Sequence, residues 1–230
     1  MNNPRLIPGL TTTKPLGIPA FLRSMETLDV KTIALFPTCL DRIARYELYD
    51  RISMIGSVRI PHVHLRSDCG EDEIRLLKEQ FGTEVFNIHP RASTHPFGPI
   101  PQAYRDRIFV ENVDIPADPS EVAELGGLCP DFSHLENAAL FGKTEYVNST
   151  MEQLGRYPVG CCHLSAIRKG VPNEWSGEWD HHAFSELKDL DFILKYRAFL
   201  PHAWASLELE NRLEDQLGAI AYLEDLLGLG

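Results

Sequence analysis

Seven of the nine histidines in this chain fall in five short segments, and carboxylates lie within or between these segments. Neutral imidazole and carboxylate are the ligand types of zinc, and also of manganese and iron. Carboxylates that converge in a protein interior need a cation, because uncompensated buried charge is costly. The sequence therefore predicts a catalytic site for divalent metal, with zinc as the first choice. The candidate side chains are His62, His64, His89, Glu111, Asp131, His134, His163, Asp180, His181, His182, Glu208 and Glu210.

Eight short apolar or β-branched runs could position these side chains, and amphipathic stretches alternate with them. The runs cover residues 5–10, 32–36, 58–65, 84–89, 108–112, 127–131, 158–164 and 204–209. The helix-like stretches cover residues 19–28, 41–51, 72–81, 136–154, 184–196 and 213–227. This alternation predicts an α/β protein, a single (β/α)8 TIM barrel over residues 1–230, in which some helices are shortened or replaced by loops.

The active site of a TIM barrel lies at the carboxyl ends of its strands, which is where the candidate residues fall. Residues two apart on a strand share a face, so His62 and His64 should both point into the barrel, as should Glu208 and Glu210. Which member of each pair binds metal stays open. The spacing of three between Asp131 and His134 suits a strand that breaks into a turn and places both side chains around one point.

Composition limits the partners and the compartment. The formal net charge of -11 disfavours broad contact with phosphate backbones. The five cysteines are scattered and form no C-x-x-C pair, which suits reduced thiols in the cytoplasm. No stretch approaches the roughly 18 apolar residues of a membrane span, so we expect a cytoplasmic protein with no membrane partner.

In type and order, these motifs resemble those of the endonuclease IV family (AP endonuclease family 2), within the wider group of xylose-isomerase-like TIM barrels. The resemblance runs from about residue 32 to the C-terminus. In that family nine such side chains hold three zinc ions, which cleave the phosphodiester beside an abasic site in DNA. The positions that match are His62 with His64 as its rival, His89, Glu111, Asp131, His134, His163, Asp180, His182 and Glu208.

The resemblance implies a phosphoester hydrolase with up to three zinc ions, in which Glu111 bridges metals or orients water. The alternative is a sugar or sugar-phosphate isomerase or epimerase with one divalent metal. In that enzyme Glu111 and Glu208 would exchange a proton with the substrate. A third possibility is a barrel that binds metal without catalysis. A one-metal isomerase has no need of five of the candidates, namely His62, His89, His134, Asp180 and His182.

The chain departs from typical family endonucleases in ways that bear on the substrate. It is shorter, the loops after its first three strands are brief, and Arg91 stands where the family has glycine. These departures disfavour DNA and favour a small phosphorylated or plain sugar. Arg66 or Arg91 is expected to hold a phosphate oxygen. Trp175 and Trp179 would either stack on a sugar or pack the barrel rim, and Trp179 is the one we assign to substrate binding.

Overall fold

A computed structural model describes residues 4–113 and 115–229. Its strands are β1 (Arg5–Ile7), β2 (Gly9–Thr11), β3 (Ala34–Phe36), β4 (His62–His64), β5 (Val85–Ile88), β6 (Ile108–Glu111), β7 (Gly127–Cys129), β8 (Cys161–Leu164), β9 (Ala166–Ile167), β10 (Asp180–His181) and β11 (Trp204–Leu207). Its α-helices are α1 (Ile18–Thr27), α2 (Arg42–Met54), α3 (Glu71–Phe81), α4 (Pro119–Glu124), α5 (Phe132–Leu140), α6 (Thr144–Arg156) and α7 (Leu213–Leu227). Three 3-10 helices cover Pro15–Gly17, Gln102–Arg107 and Leu187–Phe199.

Parallel pairing closes the strands into an eight-stranded barrel. One sheet runs in the order β2-β3-β4-β5-β6-β7, and a second runs β1-β11-β8, with every pair in both sheets parallel. The strands β1 and β2 are two halves of the first barrel strand and are separated only by Pro8, which has no N–H to give to a ladder. The ring is completed between β7 and β8, where Leu128 pairs with Val159 and Asp131 with His163. The predicted TIM barrel is confirmed.

Alternate residues of each strand face the helices and the barrel interior. Outward-facing Val63 and Phe86 pack in one apolar cluster with Ile74 and Leu77 of α3. The interior carries separate apolar clusters, of which one joins Ile7, Ala34, Phe36 and Trp204, and the other joins Phe109, Cys129 and Cys161. The carboxyl ends of the strands lie beyond these clusters and bear the polar candidates.

The helices on the barrel follow local sequence signals. The side chain of Asp41 accepts a hydrogen bond from the Ala44 N–H and so caps α2. Acidic residues fill the first turn of α3, where they favour the positive end of the helix dipole. Buried Arg45 of α2 makes a two-pronged ion pair with Glu73 of α3, at 2.7 and 2.8 Å, which fixes the two helices against each other.

Irregular segments replace full helices after β5, β6 and β8. A loop and a 3-10 helix follow β5, the six-residue helix α4 follows β6, and the predicted helix 184–196 is a 3-10 helix. The predicted helix 136–154 is wrong as a single element: it is α5 and α6, separated at Gly142, whose φ of +71° is a left-handed conformation that ends a helix. Within the described residues, no helix combines the length and the apolar character needed to cross a bilayer.

Candidate metal centre

Six candidate side chains converge where β4, β5, β6, β7, β8 and β11 end. They form three overlapping groups, and in each group one ligand atom per residue lies within 4.8 Å of the others. All are buried except His89, which is partly buried. Because the groups share members, the six make one continuous set, called here the mouth cluster. Its members are His64, His89, Glu111, Asp131, His163 and Glu208.

Glu111 lies at the centre of the mouth cluster. Its Oε2 atom is 3.6 Å from Nδ1 of His64, and its Oε1 atom is 3.6 Å from Nδ1 of His163. On the other side of His163, Oε2 of Glu208 lies 3.0 Å from Nδ1. One carboxylate thus reaches two imidazoles, and one imidazole lies between two carboxylates.

Burial and charge set opposite protonation states on the two imidazoles. Burial lowers the pKa of His64 to about 3, against the opposing pull of Glu111. Burial also acts to lower the pKa of His163, but the carboxylates of Glu111 and Glu208 outweigh it and raise that pKa well above the ordinary value. The same contact lowers the pKa of Glu208 to about 2, although burial opposes the shift. Without metal, a protonated His163 would therefore offset part of the negative charge of the cluster.

Several buried polar atoms of the mouth cluster have no hydrogen-bond partner among the described residues. They are Nδ1 of His64, Oδ2 of Asp131 and Nε2 of His163, while Nδ1 of His163 has only its charge contacts with Glu111 and Glu208. Buried polar atoms are normally paired, because an unpaired one loses its interaction with water. The free atoms are of the types that zinc, manganese and iron bind, so the residues present fit a divalent metal site.

The two carboxylate oxygens of Asp131 differ in their contacts. Its Oδ1 atom accepts from the backbone N–H groups of Ser133, at 2.7 Å, and His134, at 3.1 Å, and so caps α5. Its Oδ2 atom is the free one. The helix cap therefore holds the carboxylate so that the other oxygen faces the cluster.

His134 and Asp180 lie beside the mouth cluster and are joined to each other. Nδ1 of His134 lies 2.9 Å from Oδ2 of Asp180, and Nε2 of His134 lies 3.8 Å from Oδ2 of Asp131. Burial acts to lower the pKa of His134, but Asp131 and Asp180 outweigh it and raise the pKa to about 10. His182 is partly buried and lines a cavity that His134 and Asp180 also line. Within the described residues, none of these three belongs to a close ligand group.

His62 points into the barrel but lies below the mouth. Its Nδ1 atom is 2.7 Å from the Ser206 hydroxyl and its Nε2 atom is 3.0 Å from Oδ1 of Asn87. Both nitrogens are engaged, whereas the Nδ1 atom of His64 is free. His62 forms a separate close ligand group with Cys129 and His163, so the structure places His64 in the mouth cluster and His62 beneath it.

The two glutamates at the end of β11 also differ. Glu208 belongs to the mouth cluster, whereas Glu210 accepts from the Thr13 hydroxyl at 2.6 Å and pairs with Lys14 at 2.5 Å. Asn87 is a site residue that the sequence analysis missed, since its Nδ2 atom donates to Oε2 of Glu111 at 2.7 Å. Its position two residues before His89 was the available signal, because such residues share a strand face.

A cavity of about 730 Å³ adjoins this region. His134, Asp180, His182, Arg168 and Trp175 are among its lining residues. Such a volume is within the range of small-molecule sites.

Three residues that were predicted to contact the substrate, Arg66, Arg91 and Trp179, do not line this cavity. The guanidinium of Arg66 pairs with Asp68 at 2.7 Å, and that of Arg91 pairs with Glu124 at 2.7 Å. The ring of Trp179 packs edge-on against Phe141, with 5.0 Å between centroids. Among the described residues that line the cavity, the tryptophan is the exposed Trp175 and the arginine is Arg168.

Comparison with known proteins adds a likeness of fold. No protein-family model matches the chain. No curated protein matches its sequence either. A solved structure of a xylose isomerase domain protein from Planctomyces limnophilus is similar, with a TM-score of 0.46 and 11% sequence identity over 90% of each chain. The resemblance to the endonuclease IV family stays a prediction from the motifs.

Proposed function

We propose that this chain is a metal-dependent phosphoester hydrolase that uses more than one divalent ion, zinc being the first choice. The observation that carries the proposal is the mouth cluster, six converging ligand-type side chains with free buried atoms. The joined pair of His134 and Asp180 adjoins it and supplies further ligand-type atoms. A site for one ion has no need of so many.

The overlapping groups suggest how ions would be shared. One ion would be held by His64, His89 and Glu111, and another by Glu111, Asp131 and His163. Glu111 belongs to both groups, which supports a bridging role. Metal ions bound there would lower the pKa of water and polarise a phosphoryl oxygen.

The chain's own residues would position the metal-binding carboxylates and exclude solvent from the site. Asn87 fixes one oxygen of Glu111, and the cap of α5 fixes one oxygen of Asp131, so both carboxylates are held before any ion arrives. Burial of the cluster keeps bulk water from its charges, which strengthens electrostatic interactions there. The cavity of about 730 Å³ suits a small phosphorylated sugar better than a DNA duplex.

The test is a count of bound metal together with an assay for hydrolysis. Purified protein loaded with zinc or manganese should hold two or three ions per chain and release phosphate from a member of a sugar-phosphate panel. E111Q should lose both metal and activity, whereas E47Q, which changes an exposed glutamate of α2, should keep both. If no metal supports phosphate release or cleavage of abasic-site DNA, the proposal fails.

A sugar isomerase or epimerase is the second candidate, supported by the arrangement around His163. Glu111 and Glu208 approach its Nδ1 atom from 3.6 and 3.0 Å, so two carboxylates lie close together in one buried site. Paired carboxylates suit proton transfer next to a carbonyl group. Solvent deuterium appearing in a recovered sugar, with one ion per chain, would favour this activity over hydrolysis.

A further inference from the structure

Besides histidines, the basic side chains that line the cavity beside the candidate metal centre are those of Lys14, Lys143 and Arg168 among the described residues. Nζ of Lys14 lies 2.5 Å from Glu210, and Nζ of Lys143 lies 2.7 Å from Glu178. Arg168 differs, because no described residue forms an ion pair with it within 4.0 Å. Its Nε atom is also buried without a hydrogen-bond partner in the described part of the chain.

The backbone around Arg168 is well fixed. Arg168 directly follows β9, its N–H donates to the Trp179 carbonyl at 2.9 Å, and its carbonyl accepts from the Val171 N–H at 3.0 Å. The antiparallel pairing of β9 with β10 joins Ile167 to Asp180. One small hairpin therefore carries both Arg168 and a candidate metal ligand on the same cavity.

None of the described acidic residues that line the cavity forms an ion pair with Arg168. Asp180 is paired with His134, and Glu178 and Glu210 are paired with the two lysines. The remaining lining carboxylate, Glu174, is exposed on the hairpin. Arg168 therefore presents a partly buried guanidinium with an unused donor at the cavity, in a protein of net charge -11.

Guanidinium presents a planar set of donors that matches the paired oxygens of phosphate or carboxylate. We propose that Arg168 binds an anionic oxygen-bearing group of the substrate, a phosphate or a carboxylate, while the rest of the substrate reaches the mouth cluster. The inference rests on the proposed function and narrows its substrate to small anionic compounds. It assigns to Arg168 the role that the sequence analysis gave to Arg66 or Arg91.

The test compares three probes that share a three-carbon polyol skeleton: glycerol 3-phosphate, glycerate and glycerol. Their affinities for the full chain are measured by calorimetry, with zinc bound and with zinc removed. At least one anionic probe should bind wild type more tightly than glycerol does. Whichever anion binds more tightly identifies the group as phosphate or carboxylate.

R168Q should weaken binding of the preferred anion by about 10- to 100-fold, because a hydrogen-bonded charge is lost, and leave glycerol unchanged. R91Q is the matched control and should bind the anion as wild type does, since Arg91 lies outside the cavity and is paired with Glu124. R168M is a second neutral variant, which gives the result if R168Q fails to fold.

Two results would overturn the proposal. One is a wild-type affinity for both anions no higher than that for glycerol. The other is a folded Arg168 variant that binds the anion as tightly as R91Q. Zinc binding by each variant is measured in parallel and should match wild type. If wild type binds no zinc, the hydrolase proposal fails, while the comparison on zinc-free protein still decides the role of Arg168.

Discussion

The Nε2 atom of His62 lies 3.0 Å from Oδ1 of Asn87. Since an amide oxygen only accepts, Nε2 donates this hydrogen bond, and Nδ1 lies 2.7 Å from the Ser206 hydroxyl on the other side of the ring. The amide nitrogen of Asn87 then donates to Glu111 at 2.7 Å. A chain of hydrogen bonds therefore runs from the barrel interior to the central carboxylate of the mouth cluster.

Asn87→Ala should weaken zinc binding by about 10- to 100-fold, because residues that orient metal ligands typically have effects of that size. The variant frees Oε2 of Glu111 and leaves Nε2 of His62 without an acceptor. Competition with a chelating dye measures the affinity. Asn148→Ala, at an exposed position of α6, is the control and should bind zinc as wild type does. Equal zinc affinity of N87A and N148A would contradict an orienting role.

Two substitutions of Asp131 should separate its structural role as the cap of α5 from its role in metal binding. Asp131→Asn keeps the Oδ1 acceptor that caps α5 but replaces the free oxygen with an uncharged NH2 group, so it should lose zinc affinity while keeping the stability that the cap provides. Asp131→Ala should lose both, with a drop of about 1 kcal/mol in the free energy of unfolding from the missing cap. Urea denaturation and zinc titration distinguish the two. Tight zinc binding by D131N would exclude Asp131 as a ligand.

Thiol labelling should find one reactive cysteine in the native chain. Cys39 is exposed and lines the cavity, whereas Cys69, Cys129, Cys161 and Cys162 are buried. Burial also raises the pKa of Cys69 to about 12, so it stays a thiol at neutral pH. A thiol-reactive dye should therefore titrate one group in native protein and five in denaturant. Cys39→Ser should abolish the native signal; a residual fast thiol would contradict the described burial.

The charge on His134 predicts a pH-dependent stability of the metal-free protein. Its pKa is about 10 in the fold against an ordinary 6.5, so the folded state binds this proton more tightly than the unfolded state does. The resulting stabilisation is fully present below pH 6.5 and disappears as pH rises towards 10. The difference in unfolding free energy between wild type and His134→Gln should therefore be largest at pH 6 and shrink by pH 10. A difference that grows with pH would contradict the assignment.

The barrel and its ligand-bearing mouth were accessible from sequence because both depend on periodic patterns. Strand ends carrying Glu111, Asp131 and His163 follow apolar runs, and parallel strands bring such ends together. The break between α5 and α6 was not accessible, since it depends on the left-handed conformation of Gly142.

The roles of individual polar residues were harder to predict. His62 and His64 share a face and differ only in depth, which is decided by partners far along the chain, such as Ser206. In the same way, the guanidinium of Arg91 is not free to bind a substrate, because it pairs with Glu124, 33 positions away. Arg168 was not predicted, because its hairpin lacks a strong local signal.

Between β7 and β8, two isolated pairs replace a continuous ladder. Asp131 and His163 are one of those pairs. An ion bound by both side chains would hold β7 and β8 together where no continuous ladder joins them. Loading the protein would then slow amide exchange at Gly160 and His163, whose N–H groups donate to the carbonyls of Leu128 and Pro130.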